Sequence, residues 1–499
     1  MPPFPFWQTL PVREFSRAWF SSVSPQSADL DWSVADCASG LSGSVQNVIS
    51  HQKTPNSMSP SLMAFILFVI ANGTIFIRPW DLMSSLHGIQ IYLGLVLMAL
   101  FFGFDDVINQ LKWENLKRQP ITICVIGVFA SIIISHLTIM YLGGITDGGF
   151  EFFKVLVFYL LLVGLVNTPD RLRYWLMAIA ICATTMVALA VMDYQGTINL
   201  QKLTHVVETF GVNVYGIEQK ITRMCGLGMF HDPNDISLLI VVTSFICLYL
   251  TTEVKNGVIR FLWLLPLPIL ITGLGCTQSR GGLLAAAGGV MGFLIVKYGK
   301  WAIIWGASAA VMAVPVLMGM GRFAKFSLSE GTGQARIRHW SDGLQAVMGG
   351  RLIFGVGEGM YDDYAGLVAH NSYVHAFVEL GLFGGTFFFG AFFLAFYSLV
   401  MIKENNERIY HPMLERFKPF LGAILGAWCT GMLTLSRNYV PPTYMMLGMA
   451  AAYLNMLQWY RHPVRPVLYF NKQLVKKVTL ASASMFVCIV LFVKTFVRF

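Results

Sequence analysis

Long apolar runs recur along almost the whole chain, separated by short polar segments, and this alternation predicts membrane-spanning helices in series. A bilayer core about 30 Å thick takes about 20 helical residues to cross. Thirteen runs qualify: 61–77, 86–103, 121–142, 151–167, 173–192, 235–252, 258–275, 281–298, 301–319, 374–402, 417–435, 441–458 and 478–496. Two long hydrophilic stretches interrupt the series, 193–234 and 320–373, and a polar stretch, 1–60, precedes it. That stretch has no apolar core, so it does not read as a secretory signal peptide. It is expected to be a poorly ordered cytoplasmic tail, with a start at Met58 or Met63 as the alternative. The domain reading is therefore a tail over 1–60, membrane helices over 61–319 that include the 193–234 loop, a large loop over 320–373, and membrane helices over 374–499.

Charge orients the series. One set of alternate loops carries Lys112, Lys117, Arg118, Arg171, Arg173, Lys255, Arg260, Lys297 and Lys300. It continues with Lys403, Arg408, Arg416, Lys418, Arg461, Arg465, Lys472, Lys476 and Lys477. The short loops of the opposite set hold little beyond Arg78, Arg280 and Arg437. By the positive-inside rule the first set is cytoplasmic, which puts both long hydrophilic loops on the outer face and the N-terminus in the cytoplasm.

Composition agrees: 56% of the 499 residues are hydrophobic and 12% charged, the balance of a multi-spanning all-α membrane protein. The formal charge of +9 sits in short loops between apolar segments, so it reports orientation and gives no reason to expect nucleic acid as a partner. The eight cysteines, at 37, 124, 182, 225, 247, 276, 429 and 488, show no CxxC or other ligand spacing, and neither a disulfide framework nor a zinc site is expected.

Polar groups that can carry chemistry collect at the outer boundary. TQSRGG, Thr277 to Gly282, opens the run at 281; Arg280 offers a planar fork for phosphate oxygens, and Gly281 and Gly282 let an anion approach the helix N-terminus. The same residues also suit an interfacial arginine with packing glycines. Arg223 precedes DPND, where Asp232 or Asn234 suits a helix cap and His231, Asp232 and Asp235 are a lesser metal alternative. Arg336 and Trp340 share a helical face and can meet a phosphate and a sugar ring, or belong to a solvated amphipathic helix. His370, Asn371, His375 and Glu379 begin the run at 374; the last three share a stripe, and an imidazole suits a general base near neutral pH. Charged groups on a membrane helix cost roughly 2.5–3.5 kcal/mol each at the bilayer centre, so such a stripe marks a wet cavity or a function. Glu151 and Lys154 are spaced to pair.

Taken in order, Arg223 with Pro233–Asn234, then SRGG, then Arg336-x-x-x-Trp340, then the glycines 355, 357 and 359, then HNSYVHAFVELGLFGG from His370 to Gly385, this chain resembles the O-antigen ligase and polymerase family over roughly residues 120–460. The resemblance implies a GT-C-like polytopic helical bundle of about 12 or 13 spans in the inner membrane, with 320–373 as a periplasmic catalytic loop. It implies transfer or polymerisation of a glycan from undecaprenyl diphosphate onto a hydroxyl of a glycan, lipid A–core or protein acceptor, without metal or other cofactor. His370 and Arg280 would be catalytic, Arg223, Arg280 and Arg336 would grip the diphosphate, and Asn371, His375, Glu379 and Gly281 would support them. The long polar tail and the acidic DPND depart from the family pattern. A lipid-linked glycan transporter or flippase is the competing class, although transporters place polar groups near the midplane on paired broken helices.

Overall fold

The computed structural model describes residues 60–82, 90–212, 218–254, 256–299, 332–405, 407–462 and 464–497. The expected tail, the expected span 301–319 and the first part of the 320–373 loop lie outside them. The protein is a multi-pass helical membrane protein. Among the described residues eight helices are long and apolar enough to cross a bilayer, or nine if one bent pair is a single span.

In chain order the elements are α1 (Pro60–Phe76), α2 (Ile91–Phe102), α3 (Phe104–Leu111), α4 (Pro120–Thr138), α5 (Leu142–Leu165) and α6 (Pro169–Tyr194). A hairpin follows, β1 (Val206–Val212) and β2 (Glu218–Arg223), antiparallel with Val206 opposite Arg223. Then come α7 (Pro233–Glu253), α8 (Gly257–Leu264), α9 (Pro266–Thr277), α10 (Arg280–Tyr298), α11 (Thr332–Met348) and α12 (Tyr361–Ala365). The series ends with α13 (Ser372–Glu404), α14 (Pro412–Gly431), α15 (Pro441–Leu457) and α16 (Lys472–Phe496).

Several elements differ from the hydropathy reading for physical reasons. The run at 86–103 ends at Gly103, where α2 and α3 meet at 74°, the geometry of a broken or re-entrant span. The helix of the run at 417–435 starts at Pro412, so its first turns carry Glu415, Arg416 and Lys418, and Arg416 reaches Glu253 across the bundle end at 2.7 Å. Helix α5 starts at Leu142 and not at 151. Its early turns contain glycines where neighbours come close: a Cβ on Gly144 would strike the His136 ring, and one on Gly148 the Glu358 carboxylate. Glu151 and Lys154 pair at 2.6 Å on the exposed side of that helix.

Two close approaches organise the bundle. Gly288 and Gly292 of α10 face Gly422 and Gly426 of α14, and a Cβ at any of them would run into the other helix's backbone or Val296. This GxxxG-on-GxxxG contact lets backbones touch where burial of apolar area gives no driving force inside lipid. The second approach is a break in α13. Gly381 is non-helical, with φ 65° and ψ −167°, which interrupts the helical hydrogen bonds on either side. The segment 352–357 replaces them: Val356 N donates to Val378 O and Gly357 N to Glu379 O (both 3.0 Å), while Leu382 N and Phe383 N donate to Leu352 O and Ile353 O (both 2.9 Å). Lipid offers no partner to open backbone, so such a break persists only where protein supplies one.

The break gives a direct test. Gly381→Ala would place a Cβ against the Ile353 carbonyl and force alanine into left-handed φ, and it should cost roughly 1–3 kcal/mol, read as a lower Tm in detergent. Gly94→Ala, in α2 with open space around the added Cβ, should leave Tm unchanged or slightly raised.

Candidate functional site

Three helices begin at one end of the bundle, and each is capped by its own sequence. Asp232 caps α7 by accepting Asn234 N at 2.7 Å. Ser279 caps α10, its Oγ accepting Gly282 N at 3.0 Å. Asn371 caps α13, its Oδ1 accepting Tyr373 N at 3.0 Å and Val374 N at 3.3 Å. Helix N-termini carry partial positive charge, so caps that tie three of them together build an anion-favouring end.

The ties are specific. Ser279 Oγ donates to Asn234 Oδ1 at 2.7 Å, which locks α10 to α7. The same oxygen accepts Arg223 Nη2 at 3.1 Å. Arg223, buried at the end of β2, also donates from Nε to Thr277 O (3.0 Å) and from Nη1 to Glu208 Oε1 (2.6 Å). Met224 N donates to Cys276 O, so the hairpin is stitched to the turn that precedes Arg280. Arg437 links the third helix: its backbone N–H donates to Ser372 Oγ at 2.9 Å and its guanidinium grips both oxygens of Asp235.

Helix α11 delivers the remaining groups. Trp340 Nε1 donates to Ala369 O at 2.6 Å, the Tyr361 hydroxyl donates to His339 O at 2.9 Å, and His339 Nδ1 lies 2.6 Å from Ala365 O. The segment 361–370 is thereby clamped against α11. Trp340 acts here through its indole N–H, and its ring packs toward Phe492, 6.2 Å between centroids. One turn earlier on α11, half-buried Arg336 lies within reach of Asp232, Arg223 and Glu208, and burial pulls its pKa below the usual arginine range. His370 follows the clamped Ala369 with φ 49°, a left-handed conformation rare outside glycine. Burial pushes its pKa below the ordinary imidazole value, and the Arg336 charge adds to that; Asp232 opposes, and Arg437 and His339 reinforce.

Arg336 and His370 thus lie within electrostatic reach of each other and of Asp232, and Arg336 also of Arg223; Arg437, for which the sequence offered no role, acts on His370 as well. Arg280 is the first residue of α10, beside Ser279, with an exposed side chain, and Gly281 packs its α-carbon against Thr434. Asn371 is engaged as the cap. His375 and Glu379 belong to a neighbouring group: His375 Nε2 lies 2.9 Å from Glu379 Oε1, which also accepts Gly359 N (2.9 Å) and Tyr361 N (3.3 Å). DPND is occupied by capping and by Arg437, and among the described residues no three His, Cys, Asp or Glu side chains are placed to hold a metal. A cavity of about 170 Å³, mostly apolar and lined by Met229, Phe230, Leu238, Trp428, Val440 and Pro442, opens beside the Asp235–Arg437 pair.

This end of the molecule therefore offers concentrated guanidinium charge, helix N-termini, one imidazole and an adjoining apolar cavity, a set suited to an amphipathic diphosphate. A protein-family model described as O-antigen ligase matches residues 265–389. That interval contains Ser279–Gly282, Arg336 to Trp340, the three loop glycines and the run from His370 to Gly385, while Arg223, Pro233 and Asn234 precede it. The match bears out the resemblance to the O-antigen ligase and polymerase family and supports a membrane glycosyltransferase of ligase or polymerase type. No curated protein matches the chain.

Arg437 is the tie whose loss should be felt most. Arg437→Ala leaves Asp235 buried without its cation, and stability should fall by about 3–5 kcal/mol. Adding Asp235→Asn should recover part of the loss, and thermal unfolding of the two variants in detergent measures the difference.

Proposed function

We propose that the chain is an inner-membrane glycosyltransferase that moves or polymerises a glycan from an undecaprenyl-diphosphate carrier onto an acceptor hydroxyl, at a site facing the periplasm. The observation that carries this reading is that Arg223 and the Ser279–Arg280 helix start are tied to the same Asn234 Oδ1, while Arg336 and His370 lie within electrostatic reach of the neighbouring Asp232. Orientation is supported by charge: the opposite end of the bundle holds Lys117, Arg118, Arg171, Lys403, Arg416, Arg461 and Lys477, the mark of a cytoplasmic face.

In the proposed reaction the acceptor oxygen attacks the anomeric carbon while the bond from that carbon to the diphosphate oxygen breaks. The leaving group departs as lipid diphosphate, and its growing negative charge is met by Arg223, Arg280 and Arg336 and by the α7 and α10 N-termini. Fixed donors of this kind need no reorganisation as charge develops. His370, kept neutral by burial and by Arg336, accepts the hydroxyl proton as the bond forms. The apolar cavity beside Arg437 accommodates the first part of the lipid. Fixed arginines supply the stabilising charge, so transfer is expected to survive chelation. Glycan, lipid A–core and protein hydroxyls all satisfy this chemistry as acceptors.

Arg280→Ala and His370→Ala should each reduce transfer of a lipid-diphosphate glycan by at least about 10²-fold while membrane insertion stays normal. Near-wild-type products from both variants, assayed in chelator, would remove the proposed roles. The pH profile gives a second check. A base is lost as pH falls through its pKa, so a lowered His370 pKa puts the acidic limb of kcat/KM below about 6.5. Arg336→Gln removes a like charge, and the limb should move upward in pH; an unmoved limb would separate Arg336 from His370.

A further inference from the structure

Next to the cationic site lies a polar group of opposite sign, reached by the same chain segments. Tyr439 is two residues after Arg437, and His375 lies in the first turn of α13, just beyond His370. Here His136, at the end of α4, lies 3.6 Å from Glu358 Oε2, and His375 lies 2.9 Å from Glu379. The Tyr361 ring sits 5.0 Å from His375 and the Tyr439 ring 6.3 Å from it, both measured between centroids. Tyr141 stands edge-on to His136 at 5.7 Å.

The group is built but incompletely satisfied. His136 and Glu379 side chains are each 1% exposed, yet Nδ1 of His136 and Nδ1 of His375 lack a hydrogen-bond partner among the described residues, and Nε2 of His136 has only Glu358 at 3.6 Å. Native interiors rarely leave buried polar atoms in this condition, and a cluster of them points to a polar occupant. Gly144 and Gly148 of α5 pack directly on His136 and Glu358, where an added Cβ would strike those side chains. Glu358 keeps a partial opening to solvent, with 18% of its side chain exposed. Burial and the Glu379 charge raise its pKa to about 7, so its carboxyl can donate or accept.

Charge decides the kind of occupant. Glu358 feels Glu379 and Glu151, with His375 opposing, and the two extra carboxylates disfavour a diphosphate here. Uncharged hydroxyls match the mix of carboxylate, imidazole and phenol, and the tyrosine rings offer flat apolar faces beside polar groups. A displacement also needs its nucleophile on the far side of the reacting carbon from the leaving group, hence in a subsite separate from the diphosphate's.

We propose that His136, Glu358, His375, Glu379 and Tyr439 form the binding pocket for the acceptor, an uncharged hydroxyl-rich sugar ring. The assignment as acceptor rests on the transferase reading above; the sugar site itself does not. Glu379 is in addition a positioning residue, since it holds the loop at Gly359 and Tyr361 that carries Glu358.

The test is saturation-transfer NMR on the full chain in detergent, with the methyl glycosides of glucose, galactose, mannose and N-acetylglucosamine as sugar probes and inorganic pyrophosphate as the anion probe. At least one glycoside should bind, and His136→Ala and Glu358→Gln should each weaken it at least fivefold while pyrophosphate binding stays within twofold of wild type. Retained pyrophosphate binding also reports that the variants are folded, and Glu358→Gln keeps the side-chain shape. Arg336→Ala should show the reverse pattern. Sugar binding indifferent to both pocket variants, or absent across the whole panel in the wild type, overturns the proposal. Pyrophosphate binding indifferent to Arg336→Ala would instead count against the transferase reading and leave the sugar result interpretable.

Discussion

The backbone pairing of 352–357 with the break at Gly381 is the constraint on which the functional end of this molecule depends. An uninterrupted α13 would offer its neighbours only side chains. Opened at Gly381, it exposes carbonyls at Val378 and Glu379 and N–H groups at Leu382 and Phe383, which demand partners inside a membrane protein. The loop that supplies them cannot slide, because Gly355 and Gly381 approach each other too closely for any Cβ. Fixed there, the loop continues to Gly359 and Tyr361, which Glu379 holds, and then to the segment that α11 clamps through His339, Trp340 and Tyr361. His370 emerges from that clamp in a left-handed conformation, a strain that surrounding contacts must sustain.

Around this frame, electrostatics are arranged by neutralisation close at hand. Arg223 is buried against Glu208, and half-buried Arg437 is held by buried Asp235, so each cation is oriented while its desolvation is partly offset by a carboxylate. Arg336 has Asp232 and Glu208 within electrostatic reach but also Arg223, and burial dominates its environment. A diphosphate arriving among these groups would relieve like-charge repulsion as well as gain contacts. The carboxylates of the neighbouring group are paired with imidazoles in the same way, Glu379 with His375 and Glu358 with His136.

Much of this was legible in the sequence, and the missing parts have identifiable causes. Helix existence followed from apolar runs, and the alternation of Lys- and Arg-rich loops marks the two ends that the contacts also separate, with Glu253–Arg416 and Gln119–Asn455 at one and Arg223–Thr277 and Arg437–Asp235 at the other. The capping role of DPND could be read from residue types. Arg437 was missed as a site residue because its partner, Asp235, is 202 positions away. His136 was missed because a lone histidine at the end of an apolar run has a bland reading, and Glu358 because a GxGxG loop hides which side chain points inward. The early start of α5 was unreadable from propensity, since its glycines are there to admit side chains from α4 and from the loop. Trp340 suggested ring stacking by type, and the hydrogen bond from its N–H to Ala369 O could not be read from the sequence because the two residues are 29 positions apart.

The break in α13 bears on the choice between transfer and transport. Transporters use discontinuous helices to present open backbone and polar groups to a cargo at mid-membrane, commonly in two related halves. In this chain the open backbone of Gly381 is closed by another part of the same protein, so it is a joint and not a ligand site. Within the neighbouring polar group, unsatisfied ring nitrogens lie in the first turn of α13, on His375, and at the end of α4, on His136. A polar group near one end, walled by a loop that the joint immobilises, suits a reaction performed at one face. Alternating access would require that loop to leave α13, exposing four backbone groups of the break at once, a cost that a rigid transferase never meets.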